Sequence, residues 1–257
     1  GFELKSQETM LRANALYTDK QGNTRVSRNV RTTILGAHNI QAFCRTNSLK
    51  DESTMLRPGT VFERKQPKMI DDQRAVAEVE PFNFRATYHE EEKLSDKFGI
   101  AQDLIDNWAS TKKVFRYVKR FSFIKDDPKF KHLRIDLSIT KNGTRKMNKG
   151  ITPVYTVQES DIFNMREHYE LEIEVDKAKL VPANKDSSYK MLHKTIMYVL
   201  SGIQQTAYPV SFKELKGVGQ EYYTLIHKEL PRDYIRSSHF IGPSSVSLEI
   251  KLSLIHI

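Results

Sequence analysis

Three acidic and three aliphatic side chains alternate along the predicted strand 168–176, and this pattern constrains the fold more than any other. The glutamates are Glu170, Glu172 and Glu174, and the aliphatic residues are Leu171, Ile173 and Val175. On a β-strand, alternate side chains share a face, so three carboxylates would line one face of a sheet. Neighbouring carboxylates repel each other unless a cation lies among them, and Mg²⁺ or Mn²⁺ prefers such oxygen ligands. A strand with one solvated face gives the same alternation, so the pattern alone leaves both interpretations open.

Two further segments, 114–124 and 132–140, are rich in β-branched and aromatic residues and also alternate. Arg134, Asp136 and Ser138 share one face of the second segment. In the first, Arg116 and Arg120 share a face with Val118. A closed barrel lined in this way could hold a polyphosphate together with a metal ion. A plain antiparallel sheet with one wet face explains the alternation equally well.

The rest of the chain combines strands with helices. Segments 8–18 and 24–34 flank a turn sequence and predict a hairpin, and 59–66, 81–90 and 152–158 are predicted to be extended. Apolar spacing predicts helices over 37–47, 97–108, 188–205 and 211–229. Ser187 or Ser188 is the expected N-cap of the third helix. Ser211 and Glu214 have the spacing of a capping box before the fourth.

Composition limits the kinds of molecule that the chain is expected to bind. The 257 residues carry a formal net charge of +9, which favours polyanions such as nucleic acid, although a soluble protein can simply be basic. Cys44 is the only cysteine, so disulfide frameworks and cysteine-rich zinc sites are excluded. No apolar stretch is long enough to predict a transmembrane helix, and no membrane partner is expected.

Several motifs together resemble a known family. The segments KHLRIDLSIT (131–140), YTVQES (155–160) and YELEIEV (169–175) resemble the triphosphate tunnel metalloenzymes. The likeness is greatest to the RNA 5′-triphosphatase domain of mRNA capping enzymes from large DNA viruses. It covers roughly residues 25–240 and includes RYVKRFSF (116–123) and FNFRATYHEEEKL (82–94). The resemblance implies an α+β fold, an antiparallel eight-stranded β-barrel with flanking helices.

The resemblance also implies roles for individual residues. It makes Glu170, Glu172 and Glu174 the ligands of a Mg²⁺ or Mn²⁺ ion, and it makes these three glutamates and Asp136 catalytic. The phosphate-binding residues it implies are Arg85, Arg116, Lys119, Arg120 and Arg134. The implied reaction is hydrolysis of the γ-phosphate from the 5′-triphosphate end of RNA, which leaves a 5′-diphosphate end.

The same resemblance sets the expected partners and location. The substrate would be 5′-triphosphate RNA, a covalently linked guanylyltransferase domain would follow, and the location would be host cytoplasm or virion. Two other functions remain open. One is a tunnel phosphatase that acts on inorganic triphosphate or nucleoside triphosphates. The other is a non-catalytic RNA-binding or docking scaffold within a capping enzyme.

The sequence departs from the family pattern in two places. The family has a second pair of alternating glutamates on its first strand, whereas residues 2–5 contain only Glu3. We therefore expect that first strand to be missing from the chain. Because the metal site would then be incomplete, we expect the chain to hydrolyse its substrate slowly. Val118 stands where the family usually has a basic residue, and Lys119 could replace it only through a bulge.

The expected domain boundaries follow from these comparisons with the family pattern. Residues 1–230 form the truncated triphosphatase domain with its C-terminal helices. Residues 231–251 form a linker and the start of a guanylyltransferase domain, since FIGPSSVSLEI (240–250) resembles its entry. Residues 252–257, LSLIHI, resemble translated adapter DNA and are expected to be a non-native tail.

Overall fold

A computed structural model describes residues 1–18, 24–26, 30–97, 99–146, 150–180 and 185–228. Its strands, in chain order, are β1 (Glu3–Thr18), β2 (Thr24–Val26), β3 (Val30–Leu35), β4 (Thr60–Pro67), β5 (Met69–Ile70), β6 (Gln73–Arg74), β7 (Val76–Val79), β8 (Phe84–Thr87), β9 (His89–Leu94), β10 (Lys113–Ile124), β11 (Leu133–Asn142), β12 (Arg145–Lys146), β13 (Gly150–Ile151) and β14 (His168–Val175). The helices are α1 (Ala37–Thr46), α2 (Ile100–Asp106), α3 (Lys185–Gln204) and α4 (Phe212–His227), with 3₁₀ turns at Glu80–Phe82 and Lys177–Lys179.

One large antiparallel sheet organises the described residues. Seven strands follow one another in the order β14-β11-β10-β1-β3-β4-β9, and β2 pairs with β1 beside this path. The sheet curls into a half-barrel. Among the described residues β14 and β9 end the path without pairing to each other. The predicted α+β class and antiparallel sheet are therefore confirmed, whereas the closed eight-stranded barrel stays a prediction.

The hydrophobic core lies on the outer side of the curl. Leu11 and Phe115 of the sheet are buried there together with Ile40 and Phe43 of α1 and Ile105 of α2. The ring of Trp108 meets Phe43 edge to face, with the ring centroids 6.0 Å apart. Because alternate residues of each strand face opposite ways, this packing turns the polar residues of β1, β10 and β11 to the inner side. We call that inner side the polar face.

The chain divides into two compact units. The first comprises Gly1–Ala77 and Arg85–Ile196 and contains the large sheet. The second comprises Glu78–Phe84 and Met197–Ile257, of which the structure describes residues up to Lys228. No helix among the described residues has the length and apolarity needed to cross a lipid bilayer. The expected boundaries at 231 and 252 fall outside the described residues.

Most of the predicted elements are confirmed. The strands predicted over 114–124, 132–140 and 168–176 correspond to β10, β11 and β14, and the helix predicted over 37–47 corresponds to α1. Helix α4 begins after Ser211, which forms the predicted capping box with Glu214. The structure interrupts the extended segment predicted over 81–90 with a 3₁₀ turn that ends at Asn83, which has φ 52°.

Two local predictions are wrong. Ser187 and Ser188 cannot cap α3, because the helix already runs through both from Lys185. The strand predicted over 152–158 is reduced to a single bridge between Val154 and Lys113. Pro153 lacks a backbone N–H, the chain bends at residues 155 and 156, and turns follow from residue 157, so no longer ladder forms.

A pair of substitutions on β1 tests which part of the strand lies in the core. Leu11 is only 1% exposed and lies in the core, so Leu11→Ala should lower the free energy of unfolding by about 2–5 kcal/mol. Leu4, on the same strand, is 56% exposed, and Leu4→Ala should cost about 0.5 kcal/mol or less. Urea unfolding followed by circular dichroism measures both, and equal losses would contradict the assigned core.

Candidate active site

Strand pairing sets the layout of the polar face. Asp136 on β11 lies opposite Ser122 on β10 and opposite Glu172 on β14. Two residues further along β11, Ser138 lies opposite Arg120 on β10 and opposite Glu170 on β14. In the other direction, Arg134 lies opposite Glu174. Opposing residues of antiparallel strands have neighbouring side chains, so acids and arginines meet across three strands.

Asp136 is the most enclosed acid of this face. Its side chain is 0% exposed, and it accepts a hydrogen bond from the Ser122 hydroxyl at 2.7 Å. The Nε and Nη2 atoms of Arg134 donate to its two oxygens at 2.9 and 3.0 Å. Nη1 of Arg120 lies 3.4 Å from its Oδ2 atom. A buried carboxylate is stable only with such charged, hydrogen-bonding partners, so Asp136 fixes both arginines in place.

A ladder of ion pairs joins the arginines to the glutamates of β14. Arg116 pairs with Glu170, Arg120 with Glu172 at 3.2 Å, and Arg134 with Glu174. Burial alone would lower the pKa of Arg134, but its hydrogen bonds to Asp136 and the charge of Glu174 raise that pKa. The β14 glutamates are thus held over the polar face instead of pointing freely into solvent.

Three carboxylates converge closely enough to share a cation. One oxygen from each of Asp136, Glu172 and Glu174 lies within 4.8 Å of the others, and we call these residues the acidic cluster. Glu170 lies outside this cluster. It pairs with Arg116 and accepts a hydrogen bond of 3.4 Å from the Thr140 hydroxyl. The structure therefore brings two of the three predicted metal ligands together and adds Asp136 to them.

The donor set of the acidic cluster suits a hard divalent cation. All three donors are carboxylate oxygens, the ligand type that Mg²⁺ and Mn²⁺ prefer over softer metals. Arg120 and Arg134 contact the cluster, so two positive charges face three negative ones. One carboxylate charge remains to be balanced, and Glu172 and Glu174 are about half exposed, so a cation can reach them from solvent.

Two predicted phosphate-binding residues lie elsewhere. Arg85 is exposed on β8, which is not a strand of the large sheet, so the structure does not bring it to the ladder. Lys119 projects from the outer face, where its ammonium lies 5.4 Å from the ring centroid of Phe121. The β1–β10 register is regular there, with its one shift between Leu4 and Ser6, so no bulge turns Lys119 inward.

Sequence reasoning missed several charged residues of the polar face, among them Arg12, Glu8 and Arg31. Arg12 on β1 lies opposite Arg116, and Glu8 lies opposite Arg120. Arg31 on β3 pairs with Glu63 at 3.3 Å and with Glu91 at 3.5 Å. Matching the parity of 8, 10, 12 and 14 against the core residues Leu11 and Ala13 could have found Glu8 and Arg12.

Arg12, at the centre of the half-barrel, interacts electrostatically with acids on both sides of the polar face. Arg12 interacts with Glu172 on β14 and also with Glu91 on β9, although each lies three strands away in the sheet order. Burial alone would raise the pKa of Glu91, but Lys65, Arg31 and Arg12 hold that pKa below its ordinary value. Interactions over so many strands require the curl, which brings both sides of the polar face toward Arg12.

The fold and the site together define a class of protein. It is an α+β protein whose curled antiparallel sheet places an acidic cluster and several arginines on one polar face. Among the described residues, β14 pairs with β11 alone, so no strand on its other side adds a second pair of acids.

Three solved structures of mimivirus capping enzyme triphosphatases are similar to this chain. The RNA triphosphatase domain of a trifunctional mimivirus mRNA capping enzyme matches with 16% identity and a TM-score of 0.46, over 76% of this chain and 72% of that one. Two further mimivirus capping enzyme triphosphatase structures match at 16% identity, with TM-scores of 0.45 and 0.41. They cover 75% and 74% of this chain and the same shares of theirs. No family model and no curated protein matches the sequence. TM-scores of this size establish no function, which has to be argued from the site.

Removing the buried carboxylate tests the role of Asp136 in the site. Asp136→Ala leaves Arg120 and Arg134 without their shared partner, so the free energy of unfolding should fall by about 3–5 kcal/mol. Glu167→Ala is the control, because Glu167 is half exposed and its ion pair with Lys141 spans 3.6 Å. Urea unfolding should show little change for Glu167→Ala. Similar losses for the two variants would contradict the central position of Asp136.

Proposed function

We propose that this chain hydrolyses the γ-phosphate from the 5′-triphosphate end of RNA in a reaction that depends on Mg²⁺ or Mn²⁺. The observation that carries the proposal is the contact between the acidic cluster and arginines on one polar face. This combination suits phosphoryl transfer, because both the transferred γ-phosphoryl group and the β-phosphate that leaves it are negatively charged through the transition state. The sequence resemblance to RNA triphosphatases supports the choice of substrate.

The acidic cluster has the ligands that such an ion requires. Asp136, Glu172 and Glu174 would hold it, and Asp136 is already oriented by Ser122 and Arg134. When bound, a divalent ion supplies Lewis-acid polarisation of a phosphoryl oxygen. The expected participation of Glu170 as a ligand stays a prediction, since its carboxylate pairs with Arg116 outside the cluster.

The arginines of the ladder bind and orient the phosphates. Arg116, Arg120 and Arg134 each present a guanidinium group to a glutamate of β14, and guanidinium groups can bind phosphate oxygens in a bidentate manner. A bound triphosphate competes with the glutamates for these arginines. Each arginine that turns to a phosphate therefore leaves a β14 carboxylate free to bind a metal ion or a water molecule.

A released carboxylate can position the attacking water. Glu170 is suited to this role because it lies next to the acidic cluster along β14 without belonging to it. The Thr140 hydroxyl supports one of its oxygens at 3.4 Å and limits its rotation. Water held there would lie on the polar face beside the phosphates, and in-line attack would place it opposite the oxygen that bridges the β- and γ-phosphorus atoms.

The wider setting is part of the proposal. The proposed tunnel is an eight-stranded barrel, which would close the gap between the β14 and β9 ends of the half-barrel. Residues 1–230 would form the triphosphatase domain, and a guanylyltransferase domain would start within 231–251. The proposed RNA partner agrees with the net charge of +9, and the proposed location is host cytoplasm or virion.

Loss of the central glutamate tests the proposed reaction. Glu172→Ala removes a carboxylate of the acidic cluster and the partner of Arg120, so divalent-ion-dependent phosphate release should fall by about 100-fold or more. The measurement is release of labelled phosphate from 5′-γ-labelled RNA with Mn²⁺, and the comparison of rates is informative even if the absolute rate is low.

The matched control is Glu92→Ala. Glu92 is an exposed glutamate that pairs with Arg64 at 3.5 Å on the other face of the sheet, and its loss should leave the rate unchanged. Release by Glu172→Ala at the wild-type rate would refute the proposed metal site. Faster hydrolysis of inorganic triphosphate or ATP than of RNA would replace RNA by a small polyphosphate as the substrate.

A further inference from the structure

Three segments of the chain meet at Tyr88, outside the ladder of ion pairs. Tyr88 separates β8 from β9, and its backbone N–H donates to the Ala75 carbonyl at 2.9 Å. The Tyr88 carbonyl accepts from the N–H of Lys68 at 2.9 Å, and the N–H of Ala75 donates to the Lys68 carbonyl at 2.9 Å. We call the meeting point of these three residues the junction. The hydrogen bonds fix which side chains surround the Tyr88 ring.

Three cations reach the junction from different elements. Arg74 ends β6 and is followed directly by Ala75, and Arg85 lies on β8 three residues before Tyr88. Lys177 comes from the 3₁₀ turn after β14, and its ammonium lies 4.2 Å from the centroid of the Tyr88 ring. An aromatic ring with cations around it is the combination that single-stranded nucleic acid requires.

The charges of both arginines act on His89, which begins β9. Burial lowers the pKa of His89, the positive charges of Lys65, Arg85 and Arg74 lower it further, and Glu91 raises it. Arg74 and Arg85 belong to different two-stranded sheets, β5–β6 and β7–β8. Since both act on the same imidazole, the fold brings the two sheets together at this point.

The two arginines lack a counterion within the part of the chain that the structure describes. Arg74 and Arg85 are exposed and form no ion pair with a described residue. Asp71 and Asp72 lie in the turn of the β5–β6 hairpin, but neither pairs with Arg74. Both guanidinium groups therefore remain available to an anionic partner from outside the chain.

The junction adjoins the polar face. His89 lies two residues before Glu91, on the same face of β9. Glu91 pairs with Lys65 at 3.1 Å and with Arg31 of the polar face at 3.5 Å. A chain whose 5′ end is held on the polar face can therefore reach the junction with the nucleotides that follow.

We propose that Tyr88, Arg74, Arg85 and Lys177 form a binding surface for single-stranded RNA, which we call the RNA rim. The choice of RNA as the occupant rests on the proposed function. Backbone phosphates bind guanidinium and ammonium groups, and an unpaired base stacks on an aromatic ring. The base takes the place of the Lys177 ammonium over the Tyr88 ring, and Lys177 turns to a phosphate. The RNA rim binds nucleotides downstream of the 5′ end, whereas the polar face binds the end itself.

Binding of 5′-hydroxyl single-stranded RNA in the presence of EDTA tests the RNA rim without a triphosphate and without hydrolysis. Fluorescence anisotropy should show affinity roughly tenfold weaker for Arg74→Gln/Arg85→Gln, and the slope of log Kd against log salt should fall by about 0.7 for each arginine removed. The control Arg45→Gln removes an exposed arginine from α1, on the outer side of the sheet, and should bind as the wild type does. Unchanged affinity in Arg74→Gln/Arg85→Gln would overturn the RNA rim.

Substitutions of Tyr88 separate stacking from charge. Tyr88→Ala should weaken binding of the same RNA roughly five- to hundredfold, whereas Tyr88→Phe keeps the ring and should bind as the wild type does. Duplex RNA has no unpaired base to offer, so its affinity should depend on the arginines but not on Tyr88. Equal losses in Tyr88→Ala and Tyr88→Phe, or an equal loss for duplex RNA, would overturn stacking on Tyr88. Arg74 and Arg85 are exposed, so their variants test the surface even if Tyr88→Ala fails to fold.

A polyanion without bases tests the identity of the occupant. Poly-glutamate offers only charge and should bind more weakly than RNA, so equal affinity for both would overturn RNA as the occupant. Phosphate release separates this inference from the proposed function. RNA binding that depends on Arg74 and Arg85 supports the RNA rim even if the chain releases no phosphate. Phosphate release by the wild type, with unchanged RNA affinity in Arg74→Gln/Arg85→Gln, overturns the RNA rim and leaves the proposed function intact.

Discussion

The hydrogen bonding of one buried carboxylate organises the polar face. Asp136 is fully buried between β10 and β14, and its charge is balanced by Arg120 and Arg134 instead of by solvent. These same arginines extend to Glu172 and Glu174, so the position of Asp136 determines where the exposed glutamates of β14 are held. A half-exposed glutamate without such a partner would sample many rotamers, and the acidic cluster would not converge.

The charges of the acids and arginines on the polar face largely neutralise one another through ion pairs. In the ladder each arginine pairs with a glutamate of β14, so both the positive and the negative groups already have a partner. Under the proposed function, the phosphates would take the place of the glutamates on the arginines, and a divalent ion would take the place of the arginines on the glutamates. Arg12 departs from this balance, since it has no carboxylate of its own among the described residues.

The sequence predicts the acidic side of the face better than its centre. The alternation of β10, β11 and β14 is regular, so the parity of Arg116, Arg120, Arg134, Asp136 and the β14 glutamates follows from strand geometry alone. Arg12 lies in a segment where Met10 and Leu11 are both buried, which hides the period of two. Arg31 is obscured in the same way, because the neighbouring Thr32 and Thr33 are both buried although they face opposite sides.

Other features depend on tertiary structure that no local pattern contains. Glu170 has the same parity as Glu172, and its separation from the acidic cluster comes from its contacts with Arg116 and Thr140. Arg85 lies outside the large sheet because its strand, β8, pairs with β7 in a separate two-stranded sheet. The curl that brings Arg12 within the field of both Glu172 and Glu91 is likewise a property of the whole sheet.

The central claim is that Asp136, Glu172 and Glu174 together hold a divalent cation, and anomalous diffraction from crystals soaked in Mn²⁺ tests it most directly. The account predicts an anomalous peak about 2.0–2.3 Å from a carboxylate oxygen of each residue, as expected for a hard cation with oxygen ligands. A fully occupied Mn²⁺ peak elsewhere, with the ion pairs of Arg120 and Arg134 to these carboxylates intact, would contradict it.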